Sequence, residues 1–202
     1  MACTTWTEVI SYWCDGDAGF NMKNKWFGAP PSVDEEIRTK FSDLVEKALN
    51  NELLDWEDDP DGAFALLVLL DQFPRTLFKG TAKAFAGEAR ALRIAKMFIG
   101  PNAKWNHKDR SFAEKQFVYL PLEHHENKES QELSVKLYEE FVEDYKGTEN
   151  EWIAAACLKY AIVHKELIDQ FGRYPHRNAA LGRTNTTEEE EFLANIPAKY
   201  RF

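Results

Sequence analysis

Hydrophobic residues recur at helical spacing along most of the chain. Between residues 32 and 50 the apolar side chains fall three or four positions apart, on one stripe of a helix. They are Ile37, Phe41, Leu44, Val45, Ala48 and Leu49. The same spacing predicts helices over residues 5–14, 130–146 and 150–171, and a short one after Thr186. No region alternates with a period of two, so we predict an all-α protein.

The segment from Ala63 to Leu70 is apolar on every side, which predicts a helix at the centre of the fold. We expect Pro74 to end or kink that helix, because proline has no backbone N–H to donate. A further helix is predicted from Gly80 to about Phe98, and short helices interrupted by Pro121 are predicted over residues 102–127. The last long helix carries eight apolar residues. They are Trp152, Ile153, Ala156, Tyr160, Val163, Leu167, Ile168 and Phe171.

Three helix ends carry local signals. Ser32 with Glu35, and Thr186 with Glu189, have the spacing of a capping box, in which each side chain accepts a hydrogen bond from the other residue's backbone. Gly172 follows the last long helix at the position where a left-handed glycine often ends one. These signals place two helix starts and one helix end.

Composition and charge limit the class of protein. The 202 residues are 44% hydrophobic and 29% charged, which fits a single domain over residues 1–202 with a sizeable core. The net charge of −9 makes nucleic acid an unfavourable partner. The longest apolar run is far shorter than a bilayer span, and the first residues lack a secretory signal. Three unpaired cysteines give neither a disulfide framework nor a zinc site. We therefore predict a soluble cytoplasmic protein without a membrane partner.

The stretch from Phe171 to Thr184 is the densest in hydrogen-bond donors. It contains Arg173, His176, Arg177, Asn178 and Arg183 between glycines and a proline. A guanidinium presents a planar fork of donors that matches a carboxylate or phosphate. We therefore interpret this stretch as the edge of a polar pocket that binds an anion.

Other parts of the chain are predicted to complete that pocket. Asp71 and Arg75 lie at the end of the central helix, and Glu123 precedes His124. The acid–base candidates are His124 or His176 with Glu123 or Asp71, and Arg75 is a further ligand-binding candidate. Tyr119 is predicted to form part of the wall.

Each of these residues also has a purely structural interpretation. The arginines can pair with carboxylates such as Asp71, Glu123 and Asp169, His176 can bond a loop carbonyl, and Asn178 can cap its own turn. The run Glu123-His124-His125-Glu126, with His164 and His176 elsewhere in the chain, offers metal-ligating side chains, but the spacing of the run matches no established metal signature. We therefore favour a hydrogen-bonded cluster and predict no metal and no cofactor.

Several long motifs resemble one known family. They are Trp26-Phe27-Gly28, Ile37-Arg38, Leu69 to Arg75, Gly80-Thr81 with Ala84 to Ala86, Tyr119 to His124, and Phe171 to Arg183. Together they resemble the domain of unknown function 924 family over residues 6–193. The resemblance implies a single-domain, tetratricopeptide-like superhelix of antiparallel helices, and it implies no activity.

Two functions remain open on the sequence alone. The first is a protein that binds a small anionic molecule in the composite pocket, with or without catalysis, so its status as an enzyme stays undecided. The alternative is a scaffold that binds a protein or peptide partner on a helical surface.

Overall fold

The chain folds into helices and turns. The computed structural model describes residues 5–14, 25–26 and 30–200, and in these ranges it contains no β-strand. The prediction of an all-α protein is therefore confirmed. The chain divides into two compact units, Met1–Pro121 and Leu122–Phe202. The prediction of one domain and that of a tetratricopeptide-like superhelix stay predictions.

The first unit contains five helices in its described part and the start of a sixth. They are α1 (Trp6–Cys14), α2 (Pro31–Leu49), α3 (Pro60–Leu67), α4 (Phe73–Leu77), α5 (Glu88–Ala95) and α6 (Phe112–His124). Short 3-10 turns occur at Leu54–Asp58, Ala82–Phe85 and His107–Asp109. The motif residues Phe27 and Gly28 lie outside the described residues.

A π-helical turn over Val68–Gln72 joins α3 to α4 at the centre of the first unit. Every residue from 62 to 71 is buried, which confirms the predicted central segment. Pro74 does not end the helical path, because it lies in the first turn of α4, where a missing N–H removes no internal hydrogen bond. The predicted end of the helix at Pro74 was therefore wrong, because the π turn leads directly into α4.

Gly87 lets the chain before α5 pack against the π turn. A Cβ atom at this position would lie 2.3 Å from the carbonyl oxygen of Leu70, closer than any side chain tolerates. The predicted long helix from Gly80 is accordingly divided into the turn Ala82–Phe85 and helix α5.

Aromatic rings form the core of the first unit. The ring centroids of Phe41 and Phe73 are 4.9 Å apart, and Trp13 lies 5.2 Å from Phe73 and 5.5 Å from Phe117. All four side chains are buried. Each such ring removes a large apolar area from water, so this cluster fixes α1, α2, α4 and α6 to one another.

The second unit consists of the end of α6 and three further helices. They are α7 (Lys128–Asp144), α8 (Glu151–Phe171) and α9 (Thr187–Ala194). Helices α7 and α8 form a packed hairpin joined by residues 145–150. Gly172 ends α8 with a φ of 72°, as predicted, and its N–H donates to the carbonyl of Ile168 over 2.9 Å. The predicted capping box of Thr186 and Glu189 is present at the start of α9.

Two local predictions were wrong. Helix α2 begins at Pro31 with Pro30 as its cap, so the Ser32 hydroxyl is already inside the helix and no capping box forms. Pro121 lies within α6, which continues to His124 because few internal hydrogen bonds remain to be lost so near its end.

Some of the apolar residues of α8 lie in solvent. Trp152 and Tyr160 are 45% and 52% exposed. The apolar arc of α8 is wider than the surface that covers it.

Among the described residues, no helix combines the length and the apolarity needed to cross a bilayer.

Candidate functional site

Arg183 forms a two-point ion pair with Glu126 in the second unit. Its terminal nitrogens donate to the two carboxylate oxygens over 2.5 and 2.9 Å. The backbone N–H of Tyr174 donates to the same carboxylate over 2.8 Å. Burial opposes ionisation of Glu126, but these hydrogen bonds and the guanidinium charge lower its pKa below the ordinary value. The carboxylate is therefore charged and holds the loop after α8 against the end of α6.

Arg173 is paired in the same way with Glu189 of α9. Its Nε and a terminal nitrogen donate to the two oxygens over 2.6 and 2.7 Å. The hydrogen bond from Arg173 is the main cause that lowers the pKa of Glu189 to about 2, with help from the N–H of Thr186. The loop from 172 to 186 is thus closed at both ends by arginine–carboxylate pairs.

Asn178 lies between these two pairs. Its amide nitrogen donates to Asn185 over 2.8 Å and to Glu189 over 3.3 Å, and its oxygen accepts from Nε of Arg183 over 2.8 Å. The side chain is 1% exposed. These bonds correspond to the structural interpretation that the sequence left open for Asn178.

Gln131 and Tyr174 close the C-terminal end of α6. The amide nitrogen of Gln131 donates to the carbonyls of Glu123 and His125 over 2.7 and 2.8 Å, and to the Tyr174 hydroxyl over 2.9 Å. The Tyr174 hydroxyl in turn donates to the Glu123 carbonyl over 2.5 Å. The last carbonyls of a helix lack hydrogen-bond donors within the helix. Here buried donors from α7 and from the loop after α8 bond to them.

His164 of α8 lies beside Glu123. Its Nδ1 is 2.9 Å from the carbonyl of Tyr160 and 3.1 Å from a carboxylate oxygen of Glu123. Burial is the main cause that lowers the pKa of His164 to about 3, with contributions from the nearby His124, Arg177 and His176 and against the opposing effect of the Tyr160 carbonyl. The imidazole is therefore neutral near pH 7. A neutral ring donates one Nδ1–H, which both oxygens share.

Three histidines, a tyrosine and an arginine converge in this unit, and we call them the histidine cluster: His124, His164, Tyr174, His176 and Arg177. Ring centroids are 6.3 Å apart for His124 and His164, 5.5 Å for His164 and Tyr174, and 5.6 Å for Tyr174 and His176. The guanidinium of Arg177 lies 4.4 Å from the centre of the Tyr174 ring.

The histidine cluster extends from the interior to the surface. Tyr174, Arg177 and His164 are 0%, 3% and 8% exposed, whereas His124 is half-buried and His176 is exposed. A ligand in solvent therefore reaches two of its imidazoles directly. The structure thus brings together four predicted site residues, which are Glu123, His124, His176 and Arg177.

The other predicted site residues belong to the first unit. Asp71, with a side chain 1% exposed, accepts from the amide of Gln72, and Arg75 bridges it to Glu88. The Arg75 terminal nitrogen is 3.5 Å from Asp71 and 2.6 Å from Glu88. The predicted pairing of Asp71 with Arg75 is present. It joins the π turn to α5.

Tyr119 is buried in the first unit, where its hydroxyl lies 2.7 Å from Nδ1 of His107. His107 also lines an open groove of about 360 Å³ formed by the chain after α5. Its other lining residues include Phe98, Lys104 and Trp105. Tyr119 therefore supports the wall of a groove, although a different one from that expected.

Metal-ligating side chains do not gather into a site within the described ranges. No group of three or more His, Cys, Asp or Glu residues there is arranged to hold a metal ion.

Gln131 and Glu189 were not predicted to be parts of this region. His164 was considered only as a possible metal ligand together with His176 and the run from Glu123 to Glu126. Gln131 lies in a polar stretch of α7 and gave no signal. Glu189 was identified only as a capping residue, so its pairing with Arg173 was not anticipated.

The comparisons with known proteins concern the whole chain. A model of the family described as bacterial protein of unknown function (DUF924) matches residues 9–196. The fold is similar to the solved structure of a protein of unknown function, ATU0120, from Agrobacterium tumefaciens, with a TM-score of 0.74 and 29% identity. That match covers 93% of this chain and 96% of the other. Comparison with curated proteins found no match. Because the family model spans most of its length, the chain belongs to the DUF924 family of bacterial proteins of unknown function.

Proposed function

We propose that this protein binds a small molecule bearing a phosphate or carboxylate group at the solvent-facing side of the histidine cluster. One observation carries the proposal: three imidazoles and the Arg177 guanidinium converge beside the Tyr174 ring. Side chains that can donate hydrogen bonds to an anion are therefore gathered in one place, next to the buried carboxylate of Glu123, in a chain whose net charge is −9. A phosphate or carboxylate group would accept from these donors.

The residues of the cluster have different roles in this proposal. Arg177 supplies a fixed charge held against the Tyr174 ring, and His124 and His176 supply donors that reach solvent. Arg173, Arg183 and Asn178 contribute by holding the loop that carries Arg177 and His176 in place, because their donors bind Glu189, Glu126 and Asn185. A preorganised loop lowers the cost of ordering side chains around a ligand.

A catalytic form of the proposal uses the same geometry. His124 or His176 would transfer a proton to or from the bound anion, with the Glu123 carboxylate close to the cluster. Neutral His164 would keep Glu123 in position through the 3.1 Å contact between Nδ1 and the carboxylate. Both the binding form and the catalytic form of the proposal require the anion to bind at the cluster, so binding is tested first.

The test is calorimetric titration of the full chain with inorganic phosphate and with citrate. We expect a His176→Ala variant and a His124→Ala variant to weaken binding by about tenfold each, since each loses a donor to the anion. In a thermal scan, ligand at about 100 times its dissociation constant should stabilise the wild type by about 2.7 kcal/mol.

Lys136→Ala is the matched control, because it removes an exposed cation from the same unit without touching the cluster. It should bind both anions as the wild type does. If Lys136→Ala and His176→Ala weakened anion binding equally, the anions would be attracted by the overall charge of the surface and not by a specific site. Failure of both anions to bind would reject the proposal.

A second candidate function is favoured by a different observation. Trp152, Tyr160 and Ile162 of α8 are 45%, 52% and 42% exposed. Large apolar side chains exposed along one helix are typical of surfaces that bind another protein. This supports the scaffold alternative, in which α8 binds a peptide.

A further inference from the structure

The first half of α8 presents an apolar surface to solvent, which we call the α8 face: Trp152, Ala155, Ala156, Tyr160 and Ile162. At 100° per residue these five positions lie within less than half of the helix circumference, and the exposed Lys159 lies in the same arc. The three large side chains among them are between 42% and 52% exposed. The face extends over roughly 15 Å of helix, about three turns.

The second half of the same helix is covered by the chain itself. Leu167 and Ile168 are 0% and 1% exposed and pack with Tyr174, and Phe171, Phe192 and Tyr200 pack against them. Phe192 and Tyr200 thus cover this half of α8, whereas the first half buries Ile153, Ala154, Ala161 and Val163. The α8 face lies beyond that cover.

The surroundings of the α8 face are strongly acidic. Between residues 139 and 151 the chain carries six carboxylates and one lysine. The carboxylates are Glu139, Glu140, Glu143, Asp144, Glu149 and Glu151, all exposed. The lysine, Lys146, is engaged with Glu143 over 3.4 Å. Because residues 145–150 join α7 to α8, this acidic end of the hairpin lies next to Trp152.

We propose that the α8 face docks a basic amphipathic peptide segment of another protein. Apolar side chains of that segment would pack on Trp152, Tyr160 and Ile162, and its lysines or arginines would lie against the carboxylates at the end of the hairpin. Complementary charge of this kind sets partner choice and speeds encounter. This inference rests on the peptide-binding candidate function and adds the chemistry of the partner.

The same charges argue against a parallel pairing with a second copy of this chain. A symmetric pairing of two α8 faces with parallel helices would bring two acidic hairpin ends close together, and like charges juxtaposed at an interface are destabilising. Lys159 is the single cation within the span of the face. A cationic partner removes this repulsion.

The experiment measures fluorescence anisotropy of two labelled amphipathic peptides of about 15 residues, long enough as helices to span the whole face. They share Leu and Trp on the apolar side and carry either Lys or Glu on the polar side. With the full chain at about 50 mM salt, the Lys peptide should bind at least about tenfold more tightly than the Glu peptide. Raising the salt to about 300 mM should reduce that difference, because the charges are exposed.

Substitutions test whether the peptide binds at the α8 face. Trp152→Ala combined with Tyr160→Ala should weaken the Lys peptide at least about tenfold, since exposed aromatics dominate such interfaces. Glu139→Gln combined with Glu140→Gln should weaken it and flatten its salt dependence. Leu54→Ala is the control, as it removes a 58% exposed leucine from the first unit and should change nothing. Circular dichroism melts check that each variant is folded.

The outcomes separate the two ideas. If neither peptide binds, the peptide-binding function itself is overturned. If both bind equally and the face variants weaken both, peptide binding stands and the basic partner is rejected. A wild-type dimer in sedimentation equilibrium that dissociates with the Trp152 and Tyr160 substitutions would make a second copy the occupant and overturn the proposal.

Discussion

Arg183 and Glu126 are 57 residues apart in the chain and meet through two charged hydrogen bonds of 2.5 and 2.9 Å. Arg183 also donates to the carbonyl of Tyr174 over 3.1 Å and to Asn178 over 2.8 Å. One guanidinium therefore holds both the turn after α6 and the loop after α8. The loop keeps its shape because this side chain satisfies acceptors on both.

We expect Arg183→Ala to lower the free energy of unfolding by about 2 kcal/mol, because it leaves the half-buried carboxylate of Glu126 without its guanidinium partner. Urea unfolding at pH 7 measures this loss. Lys146→Ala, which breaks an exposed pair with Glu143, should cost less than about 0.5 kcal/mol. Equal effects of the two substitutions would contradict a structural role for Arg183.

Glu189 should contribute stability that depends on pH. Its folded pKa of about 2 lies below the ordinary value of 4.5, so its contribution is complete above pH 4.5 and is lost as the pH falls towards 2. The difference in unfolding free energy between wild type and Glu189→Gln should therefore narrow from pH 6 to pH 3.

Thr186→Ala provides the comparison for Glu189. It removes the hydroxyl that accepts the Glu189 N–H at the start of α9, which should cost about 1 kcal/mol. This loss should stay constant over the same pH range, since a hydroxyl does not titrate there. If the difference in unfolding free energy from the wild type narrowed equally for both variants, the Glu189 carboxylate would not be the titrating group.

His164 predicts a second pH effect, in a higher window. Because its folded pKa is lowered from 6.5 to about 3, the unfolded chain takes up a proton first as the pH falls. Stability should be complete above pH 6.5 and decrease from there towards pH 3, by up to about 1.4 kcal/mol per pH unit. His164→Gln should flatten the dependence between pH 6.5 and pH 5, measured by urea unfolding. If the curves of unfolding free energy against pH were parallel for the wild type and His164→Gln, they would contradict a buried neutral imidazole at His164.

Gly87→Ala should destabilise the protein by about 2–3 kcal/mol, because the new methyl group would meet the Leu70 carbonyl and force the π turn or α5 to move. Thermal unfolding measures this change. Gly147→Ala is the control: its φ is 76°, but no atom lies within 4 Å of the added Cβ. It should cost roughly 1 kcal/mol from backbone strain alone. If both cost the same, the close approach at Gly87 is not what requires glycine.

The helices of this protein are determined largely by local sequence. Apolar spacing in α2, α7 and α8 gave their extents to within a few residues, because amphipathic helices must bury one stripe whatever they pack against. Gly172 and the Thr186–Glu189 box were recognisable for a similar reason, since a helix end satisfies its own backbone groups with nearby residues. The all-α class follows from these elements.

Tertiary structure alone decided which carboxylates pair with the arginines and which apolar side chains are buried. The sequence identified Arg173 and Arg183 as anion-binding donors or as ion-pairing residues, and only the fold selects Glu189 and Glu126, far along the chain, as their partners. His164 is neutral because of burial and nearby cations, neither of which its own helix reveals. Trp152 and Ile168 lie on the same helix, yet the C-terminal segment covers one and leaves the other in solvent. The sequence pattern shows where the apolar side chains lie along a helix, whereas their burial depends on which other parts of the chain pack against them.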